Sequence, residues 1–239
     1  MSSYAYLCTI GAMGMKKKID VMGIGMDFMD LKQVMLEIDS FMNDTVLNIV
    51  EIVSLETMAL MGEHPEIRSC LNQANIVMPG ERDILSFFGL EEEFKHQDFH
   101  IEGFFAEFVK QLEKNNRTVY VIASRQQQLD DCFEIINDNK YNINIVGSSI
   151  YDEKIHNSDV TVNDVNSLNP DVVLLLLSSP VCEMFINENR TRLLTRLVIA
   201  TDNDPLLKKK DNKISHFFRS IFNKSILKLS LSRYRGKDK

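Results

Sequence analysis

Two histidines four residues apart, His96 and His100, are the most direct candidates for metal chemistry. Imidazoles at this spacing can share one side of a helical turn and bind a transition metal, with Asp98 between them. The sequence offers no evident third ligand, and the pair lies in a segment that connects regular elements. We therefore interpret both as surface histidines and predict no metal site.

Gly23 and Gly25 follow an apolar run, which is where a phosphate-binding loop would begin. A dinucleotide loop needs a third glycine, and a P-loop needs a following Gly-Lys-Ser/Thr; the sequence has neither. Glycine at this spacing is more typical of a tight turn, because it adopts positive φ at no steric cost. We predict a turn here.

The serines and cysteines give no nucleophile motif. Ser54 and Ser178 each follow an apolar run, but neither lies in a recognised hydrolase pattern with His and Asp partners. The four cysteines, Cys8, Cys70, Cys132 and Cys182, are far apart and form no ligand pair. This spacing indicates free thiols in a reducing cytoplasm.

The elements that would position such residues alternate along the chain. Short runs rich in Val, Ile and Leu are typical of strands buried on both faces; they span residues 19–23, 47–53, 76–78, 118–123, 143–147, 172–177 and 197–200. Between them, apolar residues recur at helical spacing in residues 31–42, 66–74, 82–88, 101–114, 127–137 and 182–192. The alternation predicts an α/β fold: a doubly wound, mostly parallel sheet with helices on both faces.

Ligands of such sheets bind at the carboxyl ends of the strands. The segments in which we expect chemistry are therefore residues 23–27, 54–56, 79–83, 124–128, 147–151, 178–183 and 201–205.

Charge is distributed unevenly over the 239 residues. The net charge is −7, yet residues 206–239 carry eleven basic and two acidic side chains. An acidic body with a basic tail excludes a strongly basic nucleic-acid binder as a class and predicts a tail that seeks an anionic surface. The longest apolar runs are much shorter than the roughly 20 residues that span a bilayer, so no transmembrane helix is predicted.

The tail has the pattern of a basic amphipathic helix. Its apolar side includes Phe217, Phe218, Ile221 and Phe222, and lysines and arginines occupy the other side. This composition is typical of a helix that lies in a membrane interface, although a terminal helix packed on the domain would show the same pattern. We predict three regions: a disordered extension at 1–14, with Met15 as the expected start; an α/β domain at 15–205; and a basic appendage at 206–239.

The ordered series of segments over residues 18–200 resembles the WecG/TagA/CpsF family of bacterial glycosyltransferases. The matching segments are Lys18-Ile-Asp-Val-Met-Gly-Ile-Gly-Met-Asp27, residues 47–60, His64-Pro-Glu-Ile-Arg68, Leu71-Asn-Gln-Ala-Asn-Ile-Val-Met-Pro79, Arg117-Thr-Val-Tyr-Val-Ile122, Tyr141-Asn-Ile-Asn-Ile-Val-Gly147, Asn169-Pro-Asp-Val-Val-Leu-Leu175 and Ser179-Pro180-Val-Cys-Glu183. The last is similar to the family's Pro-x-Gln-Glu signature, with Cys182 in place of Gln.

The resemblance implies transfer of an N-acetylmannosamine-type sugar from a UDP donor to a lipid-linked acceptor in surface polysaccharide biosynthesis. The expected location is the inner face of the plasma membrane, in the cytoplasm. The family's Asp-Gly after the third strand corresponds to Gly80 and Glu81, which makes Glu81 the expected general base and Asp83 a nearby substitute. The expected substrate contacts are Ser54, Lys95, Gly147, Ser178, Ser179, Pro180, Glu183, Arg233 and Arg235.

Basic side chains and helix N-termini can stabilise a diphosphate without a metal, so neither a metal nor another cofactor is expected. The expected partners are the UDP-sugar, the lipid-linked acceptor and an anionic membrane surface, and no nucleic acid. Proteins of polysaccharide assembly and a second copy of the chain remain open as partners. A second interpretation also remains open: a catalytically degenerate homologue that acts at the membrane as a sugar-nucleotide-binding or partner-binding scaffold.

Overall fold

A computed structural model describes residues 17–90, 101–138, 140–154 and 158–201. Its strands are β1 (Lys17–Val21), β2 (Ile24–Phe28), β3 (Asn48–Val53), β4 (Ile76–Pro79), β5 (Thr118–Ala123), β6 (Asn144–Ile150), β7 (Val172–Leu176) and β8 (Leu197–Thr201). Its helices are α1 (Leu31–Met42), α2 (Leu55–Leu60), α3 (Pro65–Gln73), α4 (Arg82–Phe88), α5 (Ile101–Lys114), α6 (Gln126–Asp138), α7 (Ser158–Leu168) and α8 (Val181–Asn189).

Six of the strands form one parallel sheet in the order β4-β3-β8-β7-β5-β6. The chain leaves β5 toward β6 and leaves β7 toward β8, in opposite directions, so these adjacent strands form a switch point. This architecture confirms the predicted α/β class with a parallel sheet and flanking helices. The predicted appendage at 206–239 and extension at 1–14 lie outside the described residues.

Each face of the sheet carries its own apolar core. On one face, Cys70 of α3 and Phe185 of α8 pack against Ile49 and Val53 of β3. On the other, α1 and the aromatic stripe of α5 pack against the remaining side of the same strands, and Phe104 stacks on Phe108 with ring centroids 5.9 Å apart. Burial on both faces explains why these strands are continuous apolar runs.

The first apolar run differs from its prediction. Residues 19–23 do not form a buried parallel strand; β1 and β2 pair antiparallel as a separate hairpin. Met22 (φ 59°) and Gly23 (φ 80°) form the two-residue turn, and positive φ at both positions matches the twist of a hairpin. The tight turn predicted at Gly23 is confirmed, whereas the predicted strand end at 23–27 is wrong because Gly25 and the residues after it lie inside β2.

The hairpin covers the outer edge of the sheet through side chains. Asp27 Oδ2 accepts a hydrogen bond of 2.9 Å from the Val77 amide of β4 and lies 3.0 Å from Lys18 Nζ. Arg68 Nη1 of α3 donates to the Met22 carbonyl oxygen at the hairpin turn. These contacts cover the edge of β4. An uncovered edge strand could pair with a strand of another molecule.

Candidate functional site

The polar side chains at the carboxyl ends of β3 and β7 form one connected group. Ser54 follows β3 directly and begins α2, where its Oγ accepts the Thr57 amide hydrogen at 3.0 Å. Ser54 Oγ lies 3.1 Å from Thr57 Oγ1, which lies 3.0 Å from Ser179 Oγ in the β7–α8 turn. Ser179 Oγ donates to Glu183 Oε1 at 2.6 Å. We call these four side chains the hydroxyl chain.

Of these four side chains, that of Ser179 is the most exposed to solvent. Ser54, Thr57 and Glu183 are each 2% exposed, whereas Ser179 is partly exposed. The peptide bond between Ser179 and Pro180 is cis. The structure therefore brings the predicted residues Ser54, Ser179 and Glu183 together, with Ser179 at the surface of the group.

A buried acid and a buried thiol lie beside the hydroxyl chain. Cys70 Sγ donates to Glu51 Oε1 of β3 at 3.1 Å, and both side chains are buried. Burial raises the pKa of the Cys70 thiol, and the negative charges of Glu51 and Glu183 raise it further. A thiol held protonated in this way is a poor nucleophile. Cys70 therefore packs the core and donates a hydrogen bond.

Helix α8 separates the hydroxyl chain from a cavity of about 410 Å³. Val181, Met184 and Glu188, which recur along one side of α8, line the cavity. The remaining lining residues come from the segment after β6 and the start of α7: Tyr151, Glu153, Lys154 and Ser158. The cavity therefore opens at the carboxyl edge of the sheet, where the fold class predicts ligand binding.

Tyr151 forms part of the cavity wall through contact with α8. Its ring meets Phe185 edge to face, with centroids 4.9 Å apart. Burial raises the pKa of the Tyr151 hydroxyl, and the charges of Glu188 and Glu153 add to the effect. The phenol therefore stays protonated near neutral pH and can donate a hydrogen bond to a ligand.

The end of β4 carries the residues expected to act as base. Gly80 is buried, and its amide donates to the Val53 carbonyl oxygen at 2.7 Å, which ties the ends of β4 and β3 together. Glu81 is the N-cap residue of α4, is partly exposed, and does not cap the helix with its side chain. Asp83 lies in the first turn of α4. Glu81 thus stands at the same edge of the sheet as Ser179.

The other predicted contacts among the described residues are Gly147, Ser178 and Pro180. Gly147 lies inside β6, which runs to Ile150, so the predicted strand end at 147 is wrong. A Cβ at Gly147 would lie 2.7 Å from the Tyr120 ring and 2.8 Å from Leu168 Cδ1, which gives a packing reason for glycine. Ser178 and Pro180 flank Ser179 in the β7–α8 turn.

Several predicted residues lie outside the described residues. They are Lys95, His96, His100, Arg233, Arg235 and the apolar residues Phe217, Phe218, Ile221 and Phe222. Among the described residues, no helix is both long and apolar enough to cross a membrane.

Sequence reasoning missed Thr57 and Lys154. Thr57 lies inside a short helix that has no predicted counterpart, and Lys154 belongs to a polar segment between β6 and α7. A signal for Lys154 was present, because it comes only four residues after the true end of β6. Because the strand end was predicted at residue 147 and not at Ile150, Lys154 fell outside the predicted ligand-binding segment 147–151.

The comparison with individual curated proteins found no significant match. A family model described as "Glycosyl transferase WecG/TagA/CpsF family" matches residues 19–202. The match contains the hydroxyl chain, Glu81 and every residue that lines the cavity. Because it covers most of the 239 residues, the chain belongs to the WecG/TagA/CpsF family of glycosyltransferases.

Proposed function

We propose that this chain transfers an N-acetylmannosamine-type sugar from a UDP donor to a lipid-linked acceptor in the synthesis of a surface polysaccharide. The observation that carries the proposal is the arrangement of one sheet edge: a cavity between α8 and the segment after β6, the Ser179 hydroxyl in the turn before α8, and Glu81 after β4. All three lie within the region that matches the family.

The spacing of this edge suits an extended nucleotide sugar. The ends of β7 and β4 are three strands apart, which corresponds to roughly 14 Å. A donor that places its nucleoside in the cavity would extend its diphosphate and sugar past Ser179 toward Glu81. The anomeric carbon of the donor sugar would then lie on the side of Glu81, the proposed base.

The cavity offers groups for the nucleoside and the first phosphate. Tyr151 and Met184 supply apolar surface for a base, and Glu153 and Glu188 can accept hydrogen bonds from ribose hydroxyls. Among the described residues that line the cavity, Lys154 is basic and can neutralise phosphate charge. The start of α8 adds the partial positive charge of a helix N-terminus. Lys95, Arg233 and Arg235 remain further candidates for the departing diphosphate.

The proposed reaction is a single inverting displacement. Glu81, or Asp83 in its place, takes the proton from the acceptor hydroxyl as that oxygen forms a bond to the anomeric carbon. The bond from this carbon to the β-phosphate oxygen breaks, and UDP leaves with the electron pair. Basic side chains and amide donors stabilise the charge that develops on the diphosphate. The chemistry needs no cofactor or metal.

Calorimetry with UDP and UDP-N-acetyl sugars tests the proposal. We expect the full chain to bind both, and Lys154→Ala to weaken both. Lys32→Ala is a matched control, because Lys32 lies on α1, on the opposite face of the sheet from the cavity. No binding at millimolar ligand would contradict the proposed function.

We propose that the protein binds its lipid-linked acceptor at the cytoplasmic face of the plasma membrane. Support comes from the sequence of the tail, with its excess of basic residues and the apolar residues Phe217, Phe218, Ile221 and Phe222. Each basic residue near an anionic leaflet contributes on the order of 1 kcal/mol. We expect the full chain to float with anionic liposomes, and a chain that ends at Pro205 to remain unbound. Equal flotation of both would contradict membrane binding by the tail.

One observation favours a second candidate function. The residue that corresponds to the family's Asp is Gly80, which is buried and has no side chain. A chain that lost its base would act as a sugar-nucleotide-binding or partner-binding scaffold for other polysaccharide proteins. Binding of UDP-sugar without turnover would support a sugar-nucleotide-binding scaffold. Co-purification with polysaccharide enzymes, together with no nucleotide binding, would support a partner-binding scaffold.

A further inference from the structure

The carboxyl end of β5 lies between two parts of the proposed donor site. In the sheet, β5 is paired with β6 on one side and with β7 on the other. The amide of Tyr151, a residue of the cavity wall, donates to the Ala123 carbonyl oxygen at 2.8 Å. The Ser124 amide donates to the Leu176 carbonyl oxygen of β7 at 3.3 Å. A ligand that extends from the cavity to the β7–α8 turn therefore passes close to the end of β5.

Arg125 follows this end of β5 in a turn that hydrogen bonds hold in place. The Ser124 amide also donates to Gln128 Oε1 at 3.1 Å, and the Gln128 amide donates to the Arg125 carbonyl oxygen at 3.1 Å. The Gln128 side chain is buried, whereas Arg125 is exposed. One residue separates Arg125 from Ala123, so their Cα atoms are at most about 7 Å apart. The long side chain of Arg125 can therefore reach the edge of the cavity at Tyr151.

The guanidinium of Arg125 differs from those of five other described arginines. Each of the five bonds to another group of the protein: Arg68 to the Met22 carbonyl oxygen, Arg117 and Arg196 to Asp171, Arg190 to Gln73, and Arg192 to Asp159. Within the described part of the chain, Arg125 makes no side-chain hydrogen bond or ion pair. A guanidinium has five N–H donors, and at Arg125 these are available to a ligand.

The charge of the cavity favours a further cation beside it. The lining contains two glutamates, Glu153 and Glu188, and one lysine, Lys154, so its negative charges exceed its positive charges by one. A diphosphate adds more negative charge at the same place and would be repelled without additional neutralisation. An arginine suits this role, because its planar fork can bind phosphate oxygens through two parallel hydrogen bonds.

We propose that Arg125 binds the diphosphate of the donor, between the cavity and the β7–α8 turn. The inference rests on the proposed function, because it takes the ligand to be a nucleotide sugar. Arg125 adds a second cation to Lys154 at the diphosphate. In the proposed reaction, its guanidinium stabilises the charge that develops on UDP as the bond to the anomeric carbon breaks.

The test removes one positive charge at either end of β5. Calorimetry measures the affinity of the full-length wild type, Arg125→Gln and Lys114→Gln for UDP and UDP-N-acetylglucosamine. Lys114 is the matched control, because it is also exposed but lies in the last turn of α5, at the amino edge. We expect Arg125→Gln to bind both ligands roughly three- to tenfold more weakly. Lys114→Gln should match the wild type, and the thermal midpoints of all three proteins should be similar.

Salt dependence distinguishes a phosphate contact from a local structural role. Salt screens an exposed ion pair, so the difference in affinity between the wild type and Arg125→Gln should shrink as the salt concentration rises. Arg125→Lys keeps the charge without the planar fork, and its affinity should lie between the other two. A difference that stays constant with salt would show that Arg125 acts through the structure of the turn, which would contradict the inference.

The remaining outcomes separate the inference from the proposed function. If Arg125→Gln binds both ligands as tightly as the wild type, the inference is wrong while the proposed function survives. If Lys114→Gln loses as much affinity as Arg125→Gln, the effect is one of net charge and the inference is again wrong. If the wild type binds neither ligand at millimolar concentration, both fall.

Discussion

The two edges of the parallel sheet arrange their polar groups in different ways. At the amino edge, Asp171 lies before β7 and is neutralised by two cations: Arg117 Nη1 at 3.1 Å and Arg196 Nη1 at 2.9 Å. Thr118, the first residue of β5, donates to the same carboxylate through its amide and its hydroxyl. The carboxylate thus has its charge and its hydrogen bonds satisfied within the protein.

At the carboxyl edge, the Ser179 hydroxyl donates a hydrogen bond to Glu183 Oε1. The hydroxyl chain ends on a partly exposed oxygen, and a cavity lies on the other side of α8. The comparison shows that ion pairs satisfy the carboxylate at the amino edge, whereas the carboxyl edge has a partly exposed hydroxyl and a cavity. We therefore expect mutations at the carboxyl edge to affect turnover and mutations at the amino edge to affect stability.

The largest expected effect is on catalysis at the carboxyl edge. Glu81→Gln removes the proposed base but keeps the size of the side chain, so turnover should fall about a hundredfold or more. Turnover is measured as UDP released from UDP-N-acetylmannosamine in the presence of a lipid-linked acceptor. The thermal midpoint should change little, because Glu81 is partly exposed and its side chain does not cap α4. An unchanged rate would remove Glu81 from the mechanism.

The corresponding change at the amino edge should affect stability. Asp171→Asn removes the charge that pairs with Arg117 and Arg196, and we expect a loss of about 2 kcal/mol in the free energy of unfolding. Affinity for UDP should be unchanged. Asp159→Asn is the control, because its ion pair with Arg192 is about half-exposed and should contribute little. A smaller loss for Asp171→Asn than for this control would contradict the role given to the amino edge.

Acid should remove the contribution of Asp171. Burial by itself would raise the pKa of this carboxyl, but the hydrogen bonds from Thr118 and the charge of Arg117 outweigh it and lower the pKa. A lowered folded pKa means that the stabilisation is fully present above the unfolded value of about 3.9 and is lost as pH falls through the folded value. Urea unfolding of the wild type and Asp171→Asn should differ at pH 7, and the difference should shrink as the pH falls below the unfolded value of about 3.9. A constant difference would contradict the linkage.

A substitution of Gly147 distinguishes a packing role of this residue from a role in ligand binding. Gly147→Ala places a methyl group against the Tyr120 ring and Leu168, and overpacking of this kind costs about 1–3 kcal/mol. We expect a lower thermal midpoint. If the variant is as stable as the wild type but binds UDP more weakly, Gly147 contacts the nucleotide, as the family resemblance implied.

Most of the fold was predictable from the sequence, because the sheet is buried on both faces. That burial makes β3, β5 and β7 into apolar runs with sharp ends, and the long helices α1 and α5 have clear apolar stripes. The hairpin was not predictable in the same way. Residues 19–26 resemble one apolar run in the sequence, and the chain reverses within that run at Met22 and Gly23, both of which have positive φ.

The site was less predictable, because it depends on contacts between distant segments. Ser54 and Ser179 could be found from their places after β3 and β7. Thr57 could not, since its importance comes from a bond to a residue 122 positions away. The end of β6 was misplaced for a local reason: Gly147 looks like a turn residue, although it lies in the strand to accommodate the Tyr120 ring.

The smallest expected effect tests whether the two edges are independent. Thr57→Val removes one buried hydroxyl at nearly constant volume and should cost about 1 kcal/mol of stability. Combined with Ser179→Ala, the loss should be smaller than the sum of the single losses by about 0.5–1 kcal/mol, because both variants break the same hydrogen bond. Combined with Thr118→Val at the amino edge, the losses should add, since the residues lie at opposite ends of the sheet. Urea unfolding measures both cycles, and coupling between Thr57 and Thr118 as large as that between Thr57 and Ser179 would show that the edges act as one unit.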